Sequence, residues 1–269
     1  MPAPEHARLR FEDVSFEFRL GTRPSDFPWF DLASPDHDIL AEKKDVFSRF
    51  PEEEIIVSQE EAAAPLLEET YERVGTTHLS PDREGMRKLS TIWEPDTILL
   101  KRSTDKEPIM VAGSLCFVSS FDPQEKIGRG ITEIHEPVPT LNPLLGANIE
   151  KYMSRLRPDR TYERLAWGLA ATTEKNMHPS HDHKRMTKDT SLEEMTVRWE
   201  YQGFQTLPES NGVLFMLHLV TQPLTEAISE PSQRQAFVHQ LKTMPDNIAK
   251  YKDILPVKAR LIKELQKRS

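Results

Sequence analysis

One cysteine, Cys116, stands in a chain of 269 residues. A single thiol cannot close an internal disulfide, build a four-cysteine zinc site or hold an iron–sulfur cluster by itself. No apolar run approaches the ~20 residues needed to cross a bilayer. The opening MPAPEHARLR lacks the apolar core of a secretory leader, and the reading is of a cytoplasmic chain with no membrane span. Nucleotide and hydrolase loops are missing too. There is no Gly-x-Gly-x-x-Gly, no Walker loop and no Gly-x-Ser-x-Gly elbow, so the chain brings no nicotinamide or phosphate site of its own. Basic residues do not dominate: 35 Lys and Arg against 43 Asp and Glu give a net charge of −8. Without a basic stripe, nucleic acid is not an expected partner.

What is present is enough for a core. Hydrophobic residues make up 37% and charged residues 29%, a globular balance that excludes wholesale disorder. The region 1–50, with FPWFDLASPD in its middle, reads as an extended N-terminal arm that packs its aromatics onto a body spanning 51–269. Residues 51–74 read as helix with an acidic first turn, and Pro65 is expected to split it in two. From Thr97 to Phe121 the pattern changes. TILLKR, the polar STDKEP and IMVAGSLCFVSSF predict a hairpin whose second strand is buried on both faces. Cys116 lies in that strand as a small buried hydrophobe.

Further along, PLLGANIEKYMSRL places Leu145, Ile149, Tyr152, Met153 and Leu156 on one helical face, with Pro143 near its first turn. Three strands follow, TYERLAWGLA, TVRWEYQGFQ and GVLFMLHLV, the first two separated by a polar insertion over 171–194. Helix returns after Thr225. The order predicts an α/β protein of the α+β type, a mostly antiparallel sheet with flanking helices gathered on one side. Two strands, helices, then three strands is also the PAS-like order.

Alternation in Val197-Arg198-Trp199-Glu200-Tyr201-Gln202 sends Arg198, Glu200 and Gln202 to one face. The commoner origin of that pattern is a half-buried strand with a wet face; a polar wall of a pocket is the other. Arg164 and Trp167, on the preceding strand, read as a cross-strand contact and a core aromatic. His135 sits in Ile-His-Glu-Pro-Val-Pro, where two prolines stiffen the backbone around it. His178, His181 and His183 have a spacing able to serve a metal, but their hydrophilic surroundings favour a solvated loop, with a lid as the alternative.

These residues carry a resemblance. VAGSLCFVSSFDPQEKIGRGITEIHEPVP, YERLAWG, VRWEYQGFQTLPESNGVLFMLHL and IAKYKDIL, in that order, resemble the haem-dependent oxidative N-demethylases. The Ile-His-x-Pro-Val-Pro and Arg-x-Glu-x-Gln boxes are the most specific. The resemblance implies a PAS-like domain holding haem b. It also implies an oxygenase that uses molecular oxygen to remove a methyl group from a small amine, releasing formaldehyde. Electrons would come from a separate flavin and iron–sulfur reductase.

His135 is implied as the axial ligand to the haem iron, its other nitrogen held by Glu136 or a loop carbonyl; the Cys116 thiolate is an outside alternative. Arg198 and Arg164 are implied at the propionates. Glu200 and Gln202 would face substrate or oxygen, with Trp167 adding a cation–π contact. The sequence departs from the family at Tyr201, Gly203 and Ala166, where Arg, Thr and Asn are common, which implies a pocket of different charge and leaves dimethylamine unassigned. Two other readings remain: a non-catalytic haem-binding sensor or carrier, and a zinc hydrolase built on the histidines of 178–183.

Overall fold

The structure is a computed structural model, and it describes residues 9–17, 22–103, 107–143, 151–153 and 155–267. Its centre is a seven-stranded sheet with the spatial order β1-β5-β6-β7-β3-β4-β2. The strands are β1 (Arg23–Pro24), β2 (Ile56–Ser58), β3 (Asp96–Lys101), β4 (Ile109–Ser114), β5 (Tyr162–Ala170), β6 (Thr196–Leu207) and β7 (Gly212–Pro223). All the pairings are antiparallel. The α+β class expected from the order of elements is the one observed.

The β6–β7 hairpin forms the spine, paired from Thr196↔Pro223 to Leu207↔Gly212. Its tip closes through Asn211, at φ 55°, a left-handed conformation that Asn tolerates better than most residues. Ser210 donates to the buried carboxylate of Glu69 through its backbone N–H (2.8 Å) and its hydroxyl (2.7 Å). The tip is thereby fixed to the helix Glu60–Val74.

That helix departs from the expectation at Pro65. It runs unbroken through the proline. Ala63, Leu66, Leu67 and Tyr71 bury one face against the sheet, and this packing outweighs the one backbone hydrogen bond that Pro65 cannot donate. The break in 51–74 falls earlier. After a short helix, Glu52–Ile55, the chain extends through Ile56 and Val57, which pair with Ser114 and Gly113 of β4. Local periodicity favours helix there, but partnering by β4 decides. β4 itself ends at Ser114 rather than at Phe121, although residues 115–118 stay buried.

The N-terminal region is not extended throughout: His37–Arg49 form a helix capped by the Asp36 carboxylate. Lys43 of that helix is fully buried and pairs with Asp96 at 3.0 Å. Phe11, Phe27 and Trp29 are buried against the body. Of the helix expected over 143–156, residues 151–153 are helical. Leu145 and Ile149 lie outside the described residues.

One face of the sheet takes most of the helical cover. Leu99, Tyr201, Leu214 and Met216 meet the helices Glu60–Val74 and Arg83–Ser90. Val197 and Trp199 meet the helices Pro231–Thr243 and Leu255–Lys267. On the other face Leu100, Phe204 and Val213 pack with Leu115, Ile131 and Met153 from the long connection between β4 and β5. No helix among the described residues is long and apolar enough to cross a membrane.

Candidate functional site

Between that second face and the β4–β5 connection lies a cavity of about 1720 Å³. This exceeds the ~300–1,000 Å³ usual for small-molecule pockets. Its walls include His135, Arg164, Arg198, Glu200, Gln202 and Phe204. The cavity also wraps the edge of β5 to reach Tyr251 and Lys252.

His135 caps the short helix Ile131–Ile134. Its Nδ1 lies 2.8 Å from the Ile131 carbonyl oxygen. A carbonyl can only accept, so Nδ1 carries the proton and Nε2 keeps its lone pair. Burial holds the imidazole pKa below its ordinary value, and the nearby Arg164 charge lowers it further. The ring is therefore neutral near pH 7 and half-buried at the cavity wall. The Ile131 carbonyl, not Glu136, holds it.

Across the cavity the β5–β6 register sets Arg164 opposite Gln202, Ala166 opposite Glu200 and Gly168 opposite Arg198. Arg164 Nε donates to Gln202 Oε1 at 2.5 Å, and the guanidinium lies 5.5 Å from the Phe204 ring centroid. Gln202 Nε2 donates to Glu200 Oε2 at 3.2 Å, and Ser119 Oγ donates to Glu200 Oε1 at 3.2 Å. Burial lowers the pKa of Arg164, Arg198 and Lys252, and the Glu200 charge acts in the opposite sense on all three. A polar wall thus faces a deep, partly open cavity, rather than a wet strand facing bulk water. Within this wall Ala166 and Gly168, the cross-strand partners of Glu200 and Arg198, are small, and a Cβ on Gly168 would meet no atom within 4 Å.

Arg198 has a different environment from Arg164. Its Nη1 donates to the Glu174 carbonyl (2.8 Å), and its Nη2 donates to the Lys175 carbonyl (2.8 Å) and to Ser119 Oγ (3.1 Å). The side chain is almost fully buried and clasps the β5–β6 connection to the sheet.

Trp167 does not share this face, although the cavity reaches it around the edge of β5. It pairs with Trp199 and packs edge-on to Phe11, with ring centroids 5.3 Å apart. Its indole Nε1 donates to Gln240 Oε1 at 2.7 Å, and the cation over its ring is Lys252, at 5.8 Å. Three positions separate it from Arg164, an odd number, so the strand turns it to the helical side. The same parity applies to two departures from the family pattern. Tyr201 and Gly203 lie behind the sheet, stacked on and covered by Trp29. Their effect on pocket charge, expected from the comparison, therefore does not arise; of the three, only Ala166 is on the cavity face.

The histidine loop is less solvated than its composition suggests. His178 is buried, and His181 stacks on Phe50 with centroids 3.8 Å apart. Both approach Glu54, while His183 bonds the His181 carbonyl at 3.1 Å. Cys116 is fully buried and does not line the cavity, and burial pushes its thiol pKa far up. Ser119, Tyr251 and Lys252 lie within stretches that carry the resemblance but have no role assigned by it; they reach the site from a loop after β4 and from the end of the helix Asp246–Tyr251.

The family described as haem-dependent oxidative N-demethylase, alpha subunit-like, matches residues 44–262, and the chain belongs to it. That description names a haem-dependent oxidative enzyme, and the residues present fit such a group. A neutral imidazole with a free lone pair and a guanidinium with only Nε hydrogen-bonded, both among the described residues, and an oversized cavity partly walled by Phe204, Leu115 and Met153 are what haem, its propionates and its ring demand.

Proposed function

We propose that this chain holds haem b in the cavity as a PAS-like domain and acts as an oxygenase that removes a methyl group from a small amine, releasing formaldehyde. The observation that carries the proposal is the His135 imidazole. It sits on the cavity wall with Nδ1 fixed to the Ile131 carbonyl, while the row of Arg164, Gln202 and Glu200 lines the same cavity.

In this reading Nε2 of His135 would hold the haem iron, and the Ile131 carbonyl maintains the ring's tautomer and strengthens its basicity. Arg164 would hold a propionate. Arg198, committed to loop carbonyls and Ser119, is a positioning residue that keeps Ser119 beside Glu200. The bound haem supplies oxygen activation. The chain's own residues select and orient the substrate: the Glu200 carboxylate attracts a protonated amine, and Gln202 keeps that carboxylate in place through its amide N–H. The apolar part of the wall, Phe204, Leu115 and Met153, lowers the local dielectric, which strengthens the attraction. Electrons come from separate flavin and iron–sulfur proteins, a division that suits a family described as an alpha subunit.

The test begins with absorbance. The purified protein, or protein reconstituted with hemin, is expected to show a Soret band, and His135→Ala is expected to abolish or greatly weaken haem retention. An unchanged Soret band in that variant would overturn the ligand assignment. Formaldehyde release from small amines in the presence of a reductase separates turnover from passive haem carriage; a haem-loaded protein that releases none would reduce the proposal to a binding domain.

A further inference from the structure

We propose a second site, formed by Glu54, His178 and His181, for a divalent transition-metal ion of the zinc class. The two histidines lie on the β5–β6 connection, and Glu54 lies on the helix Glu52–Ile55 next to β2. His181 Nε2 is 2.7 Å from Glu54 Oε2, and His178 Nδ1 is 3.7 Å from the same oxygen. One donor atom from each residue falls within 4.8 Å of the other two. Zinc bonds of about 2.0 Å in a tetrahedron set ligands ~3.3 Å apart, and the two measured distances bracket that spacing.

On His178 the free lone pair faces the locus, whereas His181 Nε2, 2.7 Å from a carboxylate oxygen that can only accept, carries a hydrogen that it gives up when the ion binds. The Ser180 backbone N–H donates to His178 Nδ1 at 3.2 Å, so Nδ1 is the unprotonated nitrogen and Nε2 carries the hydrogen. That Nε2 has no hydrogen-bond partner among the described residues, yet lies 3.4 Å from Asp122 Oδ1. A carboxylate on the far nitrogen is the usual outer partner of a metal-bound imidazole. The His178 side chain is 5% exposed, and stacking on Phe50 fixes the plane of the His181 ring.

The Ser180 hydroxyl stands between His178 Nδ1 (2.8 Å) and Glu54 Oε1 (2.9 Å), both acceptors, and its single hydrogen serves only one of them at a time. On ion binding, the Ser180 N–H and hydroxyl release Nδ1, and the hydroxyl keeps Glu54. Water takes the fourth position. Two carboxylates, Glu54 and Asp122, give the locus the negative charge that a dication requires. The bound ion ties the β5–β6 connection to the segment preceding β2. It therefore braces the same connection that Arg198 clasps at Glu174 and Lys175, and it is independent of haem.

Equilibrium dialysis of the full chain against Zn²⁺, followed by elemental analysis counting zinc separately from iron, tests the site. One zinc per chain is expected, with a rise in melting temperature on zinc addition. Glu54→Gln, which preserves shape, and His181→Ala are each expected to weaken binding by more than the ~10–100-fold typical of losing an outer partner. Both should abolish the zinc-dependent rise in melting temperature while leaving haem content unchanged. Failure of the wild-type protein to retain zinc above background at saturation would overturn the proposal. Full retention by a folded Glu54→Gln/His181→Ala double variant would do the same.

Discussion

The indole of Trp29 lies parallel to the Tyr201 ring, centroids 5.2 Å apart and planes 11° apart, and fills the space over Gly203, where a Cβ would come within 2.8 Å of it. The glycine is thus the counterpart of the tryptophan. Gly203→Thr is expected to destabilise the fold by ~1–3 kcal/mol through overpacking, and Trp29→Ala by ~3–5 kcal/mol. Combined, the two should cost less than their sum by ~0.5–3 kcal/mol, since the threonine then grows into vacated space. Urea denaturation of the four proteins measures the coupling; strict additivity would show that the two sites are independent.

Arg164 and Trp167 occupy one strand but opposite faces, and their variants should separate cleanly. Arg164→Gln removes the charge at the cavity and is expected to weaken haem affinity roughly 10-fold or more, taking ~1.5–3 kcal/mol for a hydrogen bond to a charged group. Its effect on melting should be small. Trp167→Phe removes the bond to Gln240 and should lower the melting temperature while sparing haem affinity. Hemin titration and thermal melts, run on both variants, distinguish the two patterns; equal haem loss in both would contradict the assignment of faces.

Arg198 reaches two loop carbonyls and Ser119 with the two ends of a single fork. Lysine keeps the charge but not the fork. Arg198→Lys is therefore expected to cost ~1–3 kcal/mol and to speed proteolysis and amide exchange over residues 171–195. Exchange confined to other segments would refute the clasp.

His218 is buried beside Phe27, and neither ring nitrogen has a hydrogen-bond partner among the described residues. Burial first, then the charges of Lys43 and Lys175, push its pKa down to about 3. Its unfolded value is about 6.5. In the window between them the unfolded chain binds the proton and the folded chain does not. Stability is therefore complete above the window and falls as the pH drops through it, by up to about 1.4 kcal/mol per pH unit. His218→Leu should flatten that dependence in chemical denaturation measured from about pH 6.5 downward; an unchanged slope would place the acid sensitivity elsewhere.

Alternation made much of the site legible. Arg198, Glu200 and Gln202 share the face that the period of two assigns them, and the same rule, applied to the odd spacing between Arg164 and Trp167, puts the tryptophan behind the sheet. Tyr201 and Gly203 follow the same rule. Family likeness alone had set all three beside the substrate, because an alignment has no faces. The carbonyl partner of His135 was less legible, since a main-chain acceptor leaves no mark in residue type. Nor does any local pattern bring Glu54 to His178 and His181; their meeting depends on β2 joining the sheet beside β4, a non-local pairing within a stretch whose composition favours helix. Pro65 illustrates the same limit, because burial on the sheet overrode a local rule.

Because the acceptor at His135 Nδ1 is the peptide oxygen of Ile131, no side-chain replacement at position 131 can delete it. The imidazole's tautomer and aim come with one turn of backbone. Drift among neighbouring side chains can reshape what the cavity admits while the donor nitrogen keeps its bearing, so the choice of guest and the electronic character of the ligand are free to vary separately.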